Sequence, residues 1–256
     1  MRFHGVLSAA ALLTRVPVPR GTHTGDLRVA APWMPVIGAG IGGVSAIACI
    51  AFQRLGSGVA AVAAVSTSII LTGCLHEDGL ADTADALGGA GTRERLFEIL
   101  KDSRVGAFGA VAIALSLMWR TLLIDRLGQD AAGAIVVAHT IGRLATVWIM
   151  GTLEYVTPST VARNRDAQRL GVGSVLRATM AATAILLIVD CTGLLPTYVC
   201  VVSGVSFAVV AAVLAQYFKH RCGGYTGDFL GATEQVGECW TLLICVVAAV
   251  MRGARP

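Results

Sequence analysis

The chain has 256 residues, 55% of them hydrophobic and only 14% charged, and its mean hydropathy is +0.72. Soluble domains carry roughly 25% charged residues, so this composition excludes an ordinary globular protein and points to a helical chain that crosses a membrane several times. The formal net charge of +4 is too slight and too scattered for nucleic acid, and the seven cysteines, at 49, 74, 191, 200, 222, 239 and 245, form no Cys-x-x-Cys pair and read as packing residues rather than a disulfide framework or a zinc site.

Residues 1–30 begin like a signal peptide, but the apolar core is short, and Arg15 and the prolines around it stand where a small-residue cleavage site would be. The segment is expected to stay on the chain and lie amphipathically on the membrane surface. Apolar stretches of about the length that crosses a bilayer then follow at 32–52, 57–75, 106–124, 132–153, 178–195, 197–217 and 234–251. With no block shift in composition and no repeat, the expectation is one all-α integral membrane domain over 1–256, with about seven transmembrane helices. Gly38 and Gly42 in the first stretch make a Gly-x-x-x-Gly face for close helix packing; the surrounding Ile-Gly-Ala-Gly-Ile-Gly-Gly lacks the preceding strand that a dinucleotide loop requires.

Counting Lys and Arg on alternate sides gives 14 on the side holding Arg2, Arg15, Arg20, Arg28, the 93–104 group, the 163–177 group, Lys219 and Arg221, and 4 on the other, Arg54, Arg126, Arg252 and Arg255. The positive-inside rule places the first side, with the N-terminus, in the cytoplasm. The acidic segment 76–105 and the glycine-rich segment 218–233 are then both cytoplasmic loops, where a nucleotide-activated substrate would meet them.

The acidic segment carries the strongest signal. Seven of the sixteen acidic residues lie between Glu77 and Asp102, beside a bilayer that disfavours charge. Read as helix, Asp78, Asp82 and Asp85 fall at i, i+4 and i+7 and share one face. Like charges so placed repel unless a cation sits among them, and hard carboxylate oxygens suit Mg²⁺ or Mn²⁺. A carboxylate or His76 could activate a hydroxyl nucleophile. Lys101 and Arg104, three apart around Asp102, could grip a phosphate. Farther on, Gly223-Gly-Tyr-Thr-Gly-Asp228 offers backbone N–H groups, Thr226 and Asp228 to a phosphate or metal. Glu234 and Glu238, one turn apart, enter the last stretch, where they need a cation or partner. His139 and Arg143 sit at i and i+4 inside the fourth stretch, facing the bundle interior; Arg143 could neutralise acidic groups or bind phosphate. Arg120 is expected to snorkel to the far interface, and Asp190 has no motif around it.

With these residues in hand, the chain resembles the cobalamin synthase family, the adenosylcobinamide-GDP ribazoletransferases of the bacterial inner membrane. The resemblance spans nearly the whole chain. It rests on Leu-Thr-Arg-Val-Pro-Val-Pro (13–19), His-Glu-Asp-Gly-Leu-Ala-Asp-Thr-Ala-Asp (76–85), Lys-Asp-Ser-Arg-Val-Gly-Ala-Phe-Gly (101–109) and Gly-Gly-Tyr-Thr-Gly-Asp-Phe-Leu-Gly-Ala (223–232) with Glu238 beyond, in that order. One departure is Cys74, where the family usually has a second glycine; it is expected to tighten a helix turn without removing a ligand. The resemblance implies a Mg²⁺-dependent enzyme that joins adenosylcobinamide-GDP to α-ribazole or its 5′-phosphate and releases GMP, in the last assembly steps of cobalamin biosynthesis. Asp78, Asp82, Asp85 and Asp228 would then be metal ligands, with Asp82 the leading hydroxyl activator and His76 the alternative. Lys101, Asp102, Arg104, Arg143, Thr226, Glu234 and Glu238 would serve the substrates.

Three rivals remain at this point, of which an Asp-rich membrane prenyltransferase is disfavoured by the motif order. A CDP-alcohol phosphotransferase would have Asp-x-x-Asp-Gly-x-x-Ala-Arg and a second aspartate pair, but Asp82 follows Ala81 here and the second half is absent. A divalent cation transporter would place its carboxylates near the bilayer midplane, often in repeated halves, rather than at the ends of spans. The sequence leaves open a homo-oligomer and contacts with other enzymes of the same pathway.

Overall fold

The computed structural model describes residues 4–19, 21, 26–156 and 169–253. Arg2, Arg20, Arg163, Arg165 and Arg255 of the charge count lie outside them. Among the described residues no strand forms; an isolated bridge joins Tyr155 to Tyr225.

The helices are α1 (His4–Leu13), α2 (Leu27–Ala30), α3 (Met34–Phe52), α4 (Ser57–Thr72), α5 (Leu75–Gly89), α6 (Arg93–Ile99), α7 (Ala107–Leu127), α8 (Ala131–Thr152), α9 (Val172–Cys191), α10 (Thr197–Cys222) and α11 (Gly227–Met251). The centre of the bundle is α8, buried on nearly every side, with α3 and α11 against it. The approach of α3 uses the expected Gly-x-x-x-Gly face. A Cβ on Gly38 would fall 2.4 Å from the His139 carbonyl oxygen, and one on Gly42 would fall 2.9 Å from Val136 Cα. On the outside, α10 exposes Val201, Val205, Val209 and Val213 along one stripe, as a lipid-facing helix should.

Five helical stretches are long and apolar enough to cross a membrane. One of them, Ala107–Thr152, contains both α7 and α8. A straight helix would hold Arg120 and Arg143 about 35 Å apart at 1.5 Å per residue, yet both donate to Glu238. The stretch is therefore two helices folded back on each other at the turn around Gly128, which has φ 55°.

The expected stretch at 57–75 is not one continuous helix. There α4 ends at Thr72 after 16 residues, about 24 Å of helix, short of the roughly 30 Å hydrocarbon core. Gly73 (φ 64°) and Cys74 (φ 61°) are both left-handed, and the chain leaves them at 88° to α4 as α5. Cys74 thus lies between two helices and does not tighten a turn inside one. The segment after α1 packs onto this break: Arg15 N–H donates to the Leu71 carbonyl at 2.7 Å, and a Cβ on Gly73 would meet Arg15 Nε at 2.2 Å.

The two expected loops are also largely helix. Residues 76–105 form most of α5, all of α6 and a short link. In 218–233 only 223–226 lies outside helix, between α10 and α11. The last two-thirds of α5 lie at the mouth of the bundle, beside the first turns of α7 and α11: Asp85 reaches Gly106 and Gly109, and Gly79 touches Asp228 and Gly231.

Candidate active site

The acidic helix is brought to its place by a crossing of two glycines. A Cβ on Gly79 would lie 2.9 Å from the Asp228 carbonyl oxygen and 3.1 Å from Gly231 Cα. This bare contact seats α5 directly on the start of α11. Thr226 sets that start: its Oγ1 accepts from Phe229 N–H at 3.3 Å as the helix N-cap. The Tyr155–Tyr225 bridge holds the residue before it, Tyr225 N–H donating to the Glu154 carbonyl at 2.9 Å.

Around this crossing opens a cavity of about 450 Å³. Its polar lining comes from four parts of the sequence: His76, Asp78 and Asp82 on α5, Lys101 after α6, Arg143 on α8 and Asp228 on α11. Its apolar lining includes Leu12 and Leu13 of α1, Phe97 and Leu100 near α6, and Tyr155. Asp78 is exposed, while Asp82 and Asp228 are half-buried. Burial pushes the Asp82 carboxyl up to about 6 from 3.8, and the neighbouring Asp228, Asp78 and Asp85 charges push the same way.

The other aspartate of the expected triad is engaged differently. Asp85 Oδ2 accepts from Gly106 N–H at 2.7 Å and Oδ1 from Gly109 N–H at 2.8 Å, so it caps the start of α7 and is not in the cavity wall. Lys101 and Arg104 also part company. Arg104 points out, with its side chain 86% exposed, and binds Asp102, whose carboxyl is held down at about 2 chiefly by those hydrogen bonds.

Beneath the cavity floor lies a buried ionic network that the sequence hinted at only through isolated charges. Arg143, 1% exposed, donates through Nη1 to Glu238 Oε1 at 2.6 Å and pairs with Glu234. Arg120 pairs with Glu77 at 2.9 Å and Glu238 at 3.0 Å. It is 2% exposed, so it does not snorkel: two carboxylates on neighbouring helices compensate it inside the bundle. Glu234 and Glu238 are fully buried and hold these arginines; they do not line the cavity. Glu77, Arg120 and Gln235 were not singled out from sequence as site residues. The available signal was an arginine in the middle of an apolar stretch, which must face a partner.

Two acidic sets could be asked to hold a metal. His139, Glu234 and Glu238 bring ligand atoms within 4.8 Å of one another, but Arg143 Nη1 sits among them, 2.7 Å from His139 Nδ1 and 2.6 Å from Glu238 Oε1. That position is filled by a guanidinium. Asp78, Asp82 and Asp228 fit a cation better: they are hard oxygen donors open to a cavity, and the charges of Asp228 and Asp78 add to burial in raising the Asp82 carboxyl. Their carboxylates do not close into so tight a group. This suits Mg²⁺, which keeps several waters and takes one or two carboxylates together with substrate phosphates. Arg143 Nε–H is buried without a hydrogen-bond partner, on a residue of the cavity wall, which fits an anionic ligand.

The cobalamin-5-phosphate synthase family model matches residues 5–246. The chain is 37% identical over 245 residues to the adenosylcobinamide-GDP ribazoletransferase of Mesorhizobium japonicum, covering 92% of this chain and 90% of that one. It is 36% identical to the protein of the same name from Azorhizobium caulinodans, covering 97% and 96%, and 34% identical to that of Shewanella piezotolerans, covering 95% of each. No solved structure matches. A family match of this length, with relatives above 30% identity end to end, means that the chain belongs to the cobalamin-5-phosphate synthase family.

Proposed function

We propose that this protein is an adenosylcobinamide-GDP ribazoletransferase: it joins adenosylcobinamide-GDP to α-ribazole or its 5′-phosphate and releases GMP, with a Mg²⁺ ion (Mn²⁺ in its place) at Asp78, Asp82 and Asp228. The observation that carries the site is the convergence of these three aspartates with Lys101 and Arg143 on one cavity that is also lined by apolar side chains. Such a cavity offers charge to a diphosphate and a dry surface to a large ring system.

In the reaction a ribazole hydroxyl oxygen bonds to the phosphorus nearest the corrinoid, the bond from that phosphorus to the GMP oxygen breaks, and the hydroxyl proton leaves. A divalent ion held by the three aspartates and the diphosphate would offset the charge that builds on the departing GMP. Lys101 and Arg143, both lining the cavity, supply fixed positive charge to the diphosphate. Asp82 takes the hydroxyl proton at a carboxylate oxygen; His76, which also lines the cavity, is the other acceptor within the site. Thr226 and Asp85 act by holding the starts of α11 and α7 in place.

The mouth of the cavity faces the cytoplasm in this reading, on the strength of the Lys and Arg distribution, and the protein resides in the bacterial inner membrane. A CDP-alcohol phosphotransferase and a cation transporter are not favoured by the family, and the aspartates lie at the mouth of the bundle rather than at its midplane. The test is GMP release from adenosylcobinamide-GDP by purified protein, with both ribazole forms and with Mg²⁺ or Mn²⁺. Asp82→Asn and Asp78→Asn are expected to lose about a thousandfold in turnover while still inserting and folding. Near-normal GMP release by either variant would refute the assignment of that residue.

A further inference from the structure

Arg120 sits inside α7, away from the cavity walls, and is 2% exposed. One arm of its guanidinium, Nη2, donates to Glu77 Oε1 on α5 at 2.9 Å; the other, Nη1, donates to Glu238 Oε2 on α11 at 3.0 Å. A second tie runs beside it. Gln235 Nε2 donates to the same Glu77 oxygen at 3.2 Å, and Ser116 Oγ of α7 donates to Gln235 Oε1 at 2.8 Å. Three helices are therefore fastened together at one carboxylate, and that carboxylate belongs to the residue immediately before Asp78.

This tie matters because of what the crossing lacks. α5 meets α11 through Gly79 and Gly231, a contact that brings the helices close but adds no side chain of its own to fix how α5 is rotated; that is left to the ties around it, Asp85 on the start of α7, His76 beside Glu234 and Glu77 on Arg120. Successive residues of a helix are about 100° apart around its axis. A rotation by even part of that step would swing Asp78 and Asp82 away from Asp228. Of these ties Glu77 is the one next to Asp78 in the sequence, and it is held in the bundle interior by Arg120 together with Gln235.

We propose that Arg120 is a positioning residue for the metal-holding aspartates: through Glu77 it sets the rotation of α5 on α11, and with it the spacing of Asp78 and Asp82 from Asp228. This rests on the reading of those aspartates as the metal site. Arg120 itself touches neither metal nor substrate. A lysine cannot replace it, because one ammonium on a flexible stem does not present the fixed fork that reaches two helices at once.

The experiment uses full-length protein in detergent and measures Mn²⁺ binding without substrate, from the loss of the free-ion electron paramagnetic resonance signal. The Mn²⁺ concentration for half-maximal GMP release and the kcat at saturating Mn²⁺ are measured beside it. Arg120→Lys keeps the charge balance of the network and is expected to weaken Mn²⁺ binding about tenfold, the scale on which groups behind a metal's ligands act. Glu77→Gln, nearly isosteric, is expected to move binding the same way and decides the matter if the lysine variant does not fold. Unchanged Mn²⁺ binding in these variants, with only a lower unfolding midpoint, would make Arg120 a purely structural tie and overturn the proposal. An Asp78→Asn/Asp82→Asn double variant that binds Mn²⁺ like the parent would instead remove the metal reading beneath it.

Discussion

Cys74 shows how a single position can carry strain beside a reacting site. Its φ of 61° is the left-handed region, and among the described residues it is the one non-glycine there. A side chain in that conformation costs about 1–2 kcal/mol, and glycine at the same place gives back part of this through its freer unfolded chain, about 0.5–1 kcal/mol. Cys74→Gly is therefore expected to raise stability by about 0.5–1 kcal/mol with turnover little changed, as read from denaturant unfolding in detergent; a lower stability would mean that the thiol makes a contact worth more than the strain. The resemblance had marked this position as a departure from glycine. Sequence could flag the substitution, but the torsion that makes glycine the better residue became visible only when α4 and α5 were seen to break at that point. Asp85 teaches the same lesson in reverse. Its spacing from Asp78 and Asp82 was legible, yet its partners, the N–H groups of Gly106 and Gly109, lie on another helix, and no local pattern announces a cap contributed from so far along the chain.

At the scale of elements, the site is a matter of where α5 rests. Its acidic face, the apolar spans and the Gly38/Gly42 packing face were all readable, because periodicity and composition are local properties. The crossing at Gly79 and Gly231 was not, since each glycine alone looks like an ordinary helix residue. Gly79→Ala tests the crossing. The added methyl would meet backbone atoms, the Asp228 carbonyl at 2.9 Å and Gly231 Cα at 3.1 Å, and backbone cannot swing aside as a flexible side chain would. The helices must separate, at a cost of about 1–3 kcal/mol for such overpacking. The expected result is a lower unfolding midpoint together with a higher Mn²⁺ concentration for half-maximal GMP release. Loss of stability with an unchanged Mn²⁺ requirement would separate the crossing from the site. Buried ion pairs were likewise illegible as pairs: Arg120, Glu77 and Glu238 are far apart in sequence, and only the antiparallel return of α8 along α7 brings Arg120 and Arg143 to the same glutamate.

For the whole molecule, the proposed metal would be linked to the stability of the fold through the charge at the mouth of the bundle. The Asp82 carboxyl titrates near 6 in the folded protein against 3.8 for an unperturbed aspartate, so between those values the folded state binds more protons than the unfolded one. Stability without metal should therefore fall as pH rises from about 4 to about 6, and the full penalty should persist above 6. Asp82→Asn removes it: at pH 7.5 the metal-free variant should unfold at a higher temperature than the parent, and the two should converge below pH 4. A bound cation needs the deprotonated carboxylate and acts in the opposite sense. At 100 times its dissociation constant, Mn²⁺ should stabilise the parent by about 2.7 kcal/mol at pH 7.5, and by progressively less as the pH is lowered through 6, because protons then compete for Asp82. The same ion should do little for Asp82→Asn at any pH. Thermal unfolding in detergent across pH 4.5–8, with and without Mn²⁺, checks both signs at once. If the metal-induced shift were as large at pH 5 as at pH 7.5, the ion would be binding without Asp82, and the buried network around Glu234 and Glu238 would have to be reconsidered as its site.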